Sequence, residues 1–345
     1  MKRRWLGILG LLTIAVVLLG VLNLLIGTVE IPFRSVVRIL FGEGAEESEI
    51  RRNIILKSRL PQALTALVAG AGLSVSGLQM QTVFRNPLAG PSVLGISSGA
   101  SLGVALVVLV SGIGGHALSR LGYVGNLALT VSAIIGALAV MALIAFISQK
   151  VKGNVTLLII GVMIGYVANA VIGVLKFFSV EEDIRAYVIW GLGSFARVSG
   201  NQVTLFVTVM AILLPLSMLL VKTLNLLLLG EHYARNLGLD IRRARLLTIG
   251  SAGVLVAIVT AYCGPIMFLG LAVPHLCRGI FSTSDHRILM PASLLMGAVL
   301  ALFCNLIARM PGFEGVLPIN SVTALIGAPV VMWVLFRKRK NDLNE

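Results

Sequence analysis

Residues 246–277 read LLTIGSAGVLVAIVTAYCGPIMFLGLAVPHLC, a run without a single Asp, Glu, Lys or Arg. As one helix, at about 1.5 Å per residue, it would extend about 48 Å, well beyond the ~30 Å hydrocarbon core of a bilayer. Gly264-Pro265 divides it, because proline lacks a backbone donor and its ring clashes with the preceding turn. The run therefore predicts two helices, 245–263 and 266–280, joined by a tight turn. Uncharged runs recur at residues 5–26, 60–84, 121–149, 198–221, 288–308 and 315–336. Each is near or above the ~20 residues a helix needs to cross a membrane. Backbone polar groups cannot stay unpaired in lipid, so such runs must be helical, and they lack the period-two polarity of barrel strands. Composition agrees: 57% of residues are hydrophobic and 12% charged, against roughly 25% charged in a soluble domain, and mean hydropathy is +0.99. Arg85-Asn86-Pro87-Leu88-Ala89-Gly90-Pro91 is strong loop punctuation and splits the region 60–115. The chain thus reads as an all-α integral membrane protein forming one transmembrane domain over 1–345. Its ten candidate spans are 5–26, 61–82, 93–112, 124–148, 155–177, 203–222, 245–263, 266–280, 289–308 and 317–336. The first begins with Lys2, Arg3 and Arg4, as a secretory signal would. Its apolar stretch is too long for a signal core and no small-x-small cleavage site follows, so it is expected to stay as a span.

Lys and Arg in the short loops set the orientation. With both termini cytoplasmic, the basic residues at 2–4, Arg85, Lys150, Lys152, Lys222, Arg235, Arg242, Arg243, Arg245, Arg278, Arg287 and the tail from Arg337 to Lys340 all fall inside, while most acids fall outside. The net charge of +14 is therefore a topology signal, and no soluble basic face exists to receive nucleic acid. Residues 27–60 and 179–202 are outer segments, the second with an apolar piece, 186–196, too short to cross and expected to be re-entrant or interfacial. Cys263, Cys277 and Cys304 lie in or beside apolar segments and read as packing residues. The histidines at 116, 232, 275 and 286 are scattered. No metal site and no cofactor are expected.

Small residues recur on two spans. Gly161, Gly165, Asn169 and Gly173 repeat every four positions, and Gly70, Ser74, Gly77 and Gln81 share another face. Close helix packing is the plainer reading. A pathway wall leaving room for a bulky solute is the sharper one, favoured by Asn169 and Gln81. No Asp or Glu lies deep in a span, which disfavours an ion-coupled secondary transporter, the alternative from another class. A membrane-embedded enzyme would need a catalytic cluster at bilayer depth, and no His–acid or Ser–base pair occurs at helical spacing. No phosphate-binding Gly-x-x-x-x-Gly-Lys-Ser/Thr loop occurs either, so uphill transport would draw its energy from another chain. The best coupling element is 224–245. There Gly230 and Gly238 bracket about two helical turns, Glu231 opens the short helix, and Tyr233 and Leu237 share a face beside Ala234. An ordinary connector lying on the lipid surface is the competing reading.

These residues resemble the permease subunits of bacterial type II ABC importers, which take up iron–siderophore complexes, haem and cobalamin. The resemblance covers nearly the whole chain. It is carried by Arg59-Leu60-Pro61, by Gly72-Leu73-Ser74-Val75-Ser76-Gly77 through Gln81, and most of all by Asn86-Pro87-Leu88-Ala89-Gly90-Pro91-Ser92-Val93-Leu94-Gly95-Ile96-Ser97-Ser98-Gly99-Ala100. Trp190-Gly191-Leu192-Gly193-Ser194-Phe195, the stretch 230–238, Gly264-Pro265 through Pro274-His275, Asp285-His286-Arg287 and 323–329 add to it. It implies a homodimer of ten-helix subunits in the inner membrane, two cytoplasmic ATPase subunits, and a periplasmic or lipid-anchored solute-binding protein. It also implies that Gly230, Glu231, Ala234, Arg235, Leu237 and Gly238 pack on the ATPase and that Arg59 and Arg309 receive acids of the binding protein. Asn154 and Val155 would narrow the cytoplasmic end of the pathway, with Gln81, Gly161, Gly165 and Asn169 further along it. The implied cargo is a bulky iron chelate, ferric siderophore or haem, with cobalamin as the alternative. Two departures stand out: Gln62 replaces an arginine common after Arg-Leu-Pro, and Leu317-Pro318-Ile319-Asn320 replaces a usual Leu-Pro-Val-Gly turn.

Overall fold

Helix α4 (Leu60–Phe84) is the axis of the molecule, and nearly every residue along it is buried. The computed structural model describes residues 2–27, 29–42, 48–90, 94–110, 123–151, 153–310 and 316–342. Pro91, Ser92 and Val93 of the loop motif, His116 and Lys152 lie outside them. Among the described residues every regular element is helical. In chain order these are α1 (Lys2–Leu25), α2 (Phe33–Leu40), α3 (Glu49–Ile54), α4, α5 (Ile96–Ala105), α6 (Tyr123–Lys150), α7 (Asn154–Phe177), α8 (Glu181–Gly191), α9 (Asn201–Met218), α10 (Val221–Leu228), α11 (Glu231–Asn236), α12 (Ile241–Cys263), α13 (Leu269–Phe281), α14 (His286–Ala308) and α15 (Ile319–Asp342). A π turn, Ile55–Arg59, joins α3 to α4, and another, Leu106–Val110, extends α5.

Seven described helices are long and apolar enough to cross a membrane; Ile96–Val110, Leu269–Phe281 and Ile319–Met332 are shorter. Burial within the chain ranges from 89% along Glu49–Phe84 to 17% along Arg4–Leu25. The outer helices thus turn apolar side chains such as Leu11, Ile14 and Val17 outward, as a protein solvated by lipid must. Around α4 pack α14, α12, α13, α9 and α1, while α5 pairs with α6.

The divided run behaves as its proline requires. α12 stops at Cys263, Gly264 takes a φ of +78, and α13 starts at Leu269. That start is three residues later than expected, because the intervening backbone is held open. Asn320 accepts from the Met267 N–H at 3.0 Å and donates to the carbonyls of Pro265 and Gly191. This asparagine, at one of the departures from the usual pattern, thereby stitches the turn to the end of α8 and the start of α15. Of the outer apolar piece, 186–196, only the part to Gly191 is helical; its helix starts at Glu181, with three acids in the first turn, where the helix dipole favours them. The cysteines are buried and unbridged.

Candidate functional site

The segment 221–245 is a rigid bracket at the basic end of the bundle. Helix α10 turns at Gly230 into α11, and both flanking glycines are required: φ is +107 at Gly230 and +85 at Gly238, where a Cβ is strained. The N–H of Gly238 donates to Arg235 O at 2.9 Å and that of Leu239 to Ala234 O at 3.0 Å, the paired bonds of a Schellman cap. Arg245 of α12 donates to Glu231 at 2.9 Å. Asp240 caps α12 by accepting from the N–H groups of Arg242 and Arg243 at 3.0 and 3.2 Å. Arg85, in a left-handed conformation at the end of α4, donates to Leu227 O at 2.9 Å. Mounted this way, α11 shows two faces. Ala234 is fully buried against the core, while Tyr233 is 71% and Leu237 61% exposed. Ala234 therefore does not share the outward face: it sits ~100° round the helix from Tyr233 and is its foot. Arg235 is exposed.

A polar chain ties this bracket to the spanning helices. Asn225 of α10 donates to Asp285 Oδ1 at 2.7 Å, and its own Oδ1 faces both the backbone N–H and Nδ1 of His286 at 2.9 Å. An amide oxygen only accepts, so the imidazole proton sits on Nδ1. Nε2 lies 2.8 Å from the Thr82 hydroxyl of α4, whose one proton it shares with Leu78 O. Asp285 also caps α14 through the Arg287 N–H. Burial works against its ionisation. The Arg287 N–H, the Asn225 amide and the Arg287 charge outweigh that and hold it below the usual carboxylate range. Next to Thr82 on α4, Gln81 donates to Leu271 O at 3.2 Å and accepts from Arg278 at 2.6 Å. Gln81 is 3% exposed, so it orients Arg278 rather than lining open space. Asn225→Leu keeps the volume but serves neither Asp285 nor His286. It should destabilise the solubilised chain by about 2 kcal/mol, read as a lower thermal unfolding midpoint, whereas Lys222→Leu, on the exposed side of α10, should not. Equal midpoints would remove Asn225 from this role.

The small-residue stripe of α7 splits. Residues four apart drift by ~40° per step, so Gly161 and Gly165 face inward with Ala168 and Ile172, whereas Asn169 and Gly173 turn out of that face. A Cβ on Gly95 would come within 2.9 Å of Gly161 O and 3.2 Å of Gly165 N. These two glycines thus serve close approach to the turn before α5, as the plainer packing reading expects. Gly153, with φ +122, precedes α7, which Asn154 opens, and Val155 is 67% exposed.

At the opposite end Arg59 is 1% exposed. It donates to Leu24 O and Leu25 O at 2.7 Å, and to Val29 O. Those first two carbonyls end α1 and have no partner within the helix. Arg59 is therefore an internal cap and is not presented to a partner, contrary to the expectation. Arg309 is only partly covered, and one of its guanidinium nitrogens, Nη1, is buried without a partner among the described residues. The two guanidiniums meet over Gly27, where a Cβ would lie 2.9 Å from Arg59 Nη2 and 3.2 Å from Arg309 Nη2. Burial, then the charge of Arg59, lowers the pKa of Arg309.

Residues 14–337 of the 345 match the FecCD transport family. The chain belongs to that family. It is 37% identical over 285 residues to the vitamin B12 import system permease protein BtuC of Klebsiella pneumoniae subsp. pneumoniae, covering 83% of each chain. It is 34% identical over 336 residues to the hemin transport system permease protein HmuU of Yersinia pestis, covering 96% of each. Among solved structures it superposes on a metal-chelate type ABC transporter in an inward-facing conformation. The TM-score there is 0.82 at 31% identity, over 96% of this chain and 99% of that one. This FecCD protein is thus an ABC importer permease, a transport subunit rather than an enzyme, with several spans in the bacterial inner membrane. Arg85 and Arg245, which the sequence marks only as cytoplasmic charges, and Asn225, to which it assigns no role, hold its bracket in place. The signal for Asn225 was there: it is the one polar residue in Leu224–Leu229, the leucine run before Gly230.

Proposed function

We propose that this FecCD permease works as a homodimer of ten-helix subunits with cytoplasmic termini. Two separate ATPase chains would seat on α11, and a periplasmic or lipid-anchored solute-binding protein would deliver a bulky iron chelate, ferric siderophore or haem. The observation that carries the reading is the exposed apolar pair Tyr233 and Leu237 on a rigidly mounted helix. Val155 and Asn169, exposed on α7, face the partner subunit across the pathway, with Asn154 and Val155 forming its inner gate. Cobalamin is the second reading, favoured by the 37% identity to a vitamin B12 permease. Proteoliposomes holding permease and ATPase should accumulate one iron chelate only when both chains and ATP are present. Uptake of cobalamin alone would assign the second reading, and uptake driven by an ion gradient without the ATPase would overturn the first.

At the outer end, docking falls to Arg309, whose partly exposed side chain beside another cation favours an incoming carboxylate. Rim charges steer encounter more than they add affinity. Arg309→Glu should therefore slow association with the binding protein about tenfold at low salt, with unfolding unchanged. Arg59→Glu should instead lose folded protein, because it sets a carboxylate against three carbonyls. A normal association rate for Arg309→Glu would make this arginine a lipid anchor.

A further inference from the structure

A cavity of about 380 Å³ opens beside the coupling bracket, walled by Gln149 and Val151 at the end of α6, Gly153 before α7, and Arg235, Arg242 and Arg245. Its one acid, Glu231, pairs with Arg245 at 2.9 Å. The guanidiniums of Arg235 and Arg242 have no ion-pair or hydrogen-bond partner among the described residues. Two uncompensated cations thus share a recess built from the permease's own backbone. A guanidinium offers a planar fork of donors that matches the oxygens of a phosphate.

Depth indicates where such a phosphate would come from. α6 is apolar over Gly125–Lys150 and α12 over Ile241–Cys263, so the cavity lies where two spanning helices leave the hydrocarbon. Lys150, with its ammonium 4.4 Å over the Phe146 ring, shows the posture of a side chain reaching for the interface. Leu143 and Phe146 on α6 and Leu247 on α12 are exposed below it and offer apolar surface to acyl chains. Basic pockets between helices at the cytoplasmic surface suit anionic headgroups.

We propose that this cavity binds a phosphate group, carried by the headgroup of an anionic phospholipid of the cytoplasmic leaflet. Its walls come from the turn before α7 on one side and from α11 and α12 on the other. An occupied site therefore clamps the gate turn to the coupling helix, and membrane composition bears on how firmly the two move together. The binding itself is measured on the permease alone; the choice of leaflet and the clamp between gate turn and coupling helix rest on the importer reading.

The test uses the full chain, purified in neutral detergent and stripped of lipid, titrated with short-chain phosphatidylglycerol, short-chain phosphatidylcholine or inorganic phosphate. The readout is the thermal unfolding midpoint. Phosphatidylglycerol should raise it saturably and phosphatidylcholine should not. Arg242→Gln should weaken the apparent Kd about tenfold, Arg242→Lys less. Gln149→Glu, of equal size but adding a carboxylate to the wall, should weaken it similarly. The Arg242 side chain bonds nothing among the described residues, so the ligand-free midpoint of Arg242→Gln should match that of the wild type. Saturation by inorganic phosphate at the same concentration would keep the site and assign it to free phosphate. Equal responses to both lipids with none to phosphate, or variants that bind like the wild type, would overturn the proposal. So would inert lipids together with an Arg242→Gln chain that no longer retains the ATPase, since the cavity would then belong to an acidic side chain of that partner.

Discussion

Replacing Tyr233 and Leu237 together by aspartate should stop ATP-driven uptake while leaving the chain folded and inserted. Both side chains are exposed, and nothing inside the molecule depends on them. The helix beneath is held by Ala234 in the core, by Arg245 on Glu231, by the Schellman bonds at Gly238 and by Arg85 on the preceding turn. A partner covering the pair would bury apolar surface worth roughly 1.5–3 kcal/mol for each residue. Losing both, and forcing two carboxylates into the contact, should weaken association by more than about 10³-fold. The ATPase should no longer copurify, uptake should fall to background, and the unfolding midpoint should stay where it was. Arg235→Glu, a single charge at the edge of the same face, should uncouple less completely. Normal uptake by the double variant would leave α11 as a connector lying on lipid.

The coupling helix was legible because its punctuation is local. Two glycines eight residues apart, an acid in the first turn and an apolar pair at i and i+4 specify a capped two-turn helix from any direction. The break at Gly264-Pro265 was legible for the same reason, since a proline acts on its own turn. What holds the bracket in place was not. Asn225 meets Asp285 and His286 from 60 residues away, and no periodicity in α10 or α14 announces the meeting. The reversal at Arg59 has the same origin. An arginine at a helix end reads as snorkelling or docking until the carbonyls of Leu24 and Leu25 are brought over it by α1 folding back. The stripe from Gly161 to Gly173 parts for a smaller reason. A four-residue repeat is not a straight line on a 3.6-residue helix, so the stripe that began in the interior left it by Asn169.

Gly77→Ala should abolish accumulation of folded protein, although it adds one methyl group and improves helix propensity. The stripe Gly70, Ser74, Gly77 and Gln81 on α4 serves two neighbours at once. Gly70 lies against α14, where a Cβ would come 2.3 Å from Gly297 O, and Gly77 lies against α13, where it would come 1.7 Å from Gly270 O. Carbon needs about 3.5 Å from a non-bonded heavy atom for a favourable contact, so α4 and α13 would have to part by more than an ångström. The obstacle is backbone and has no rotamer to change. Gly270 is the second residue of α13, and the same helix carries Leu271 and Arg278, both bonded to Gln81 one turn further along α4. Parting the helices at Gly77 therefore also breaks the polar clasp below it. Overpacking ordinarily costs about 1–3 kcal/mol; with the clasp lost as well the cost should exceed ~3 kcal/mol, a large share of a typical 5–15 kcal/mol stability. Gly72→Ala is the informative contrast. Its Cβ would crowd Met210 Cε, at 2.3 Å, the free end of a flexible side chain, and would touch Val259 Cγ2 at an ordinary 3.4 Å, so folded yield should drop only slightly. Gly173→Ala, with nothing within 4 Å, should match the wild type. Size-exclusion profiles of the three variants, expressed alike, decide it. If Gly77→Ala runs as a folded species with the yield of Gly173→Ala, the close approach of α4 and α13 is not what holds this end of the permease together.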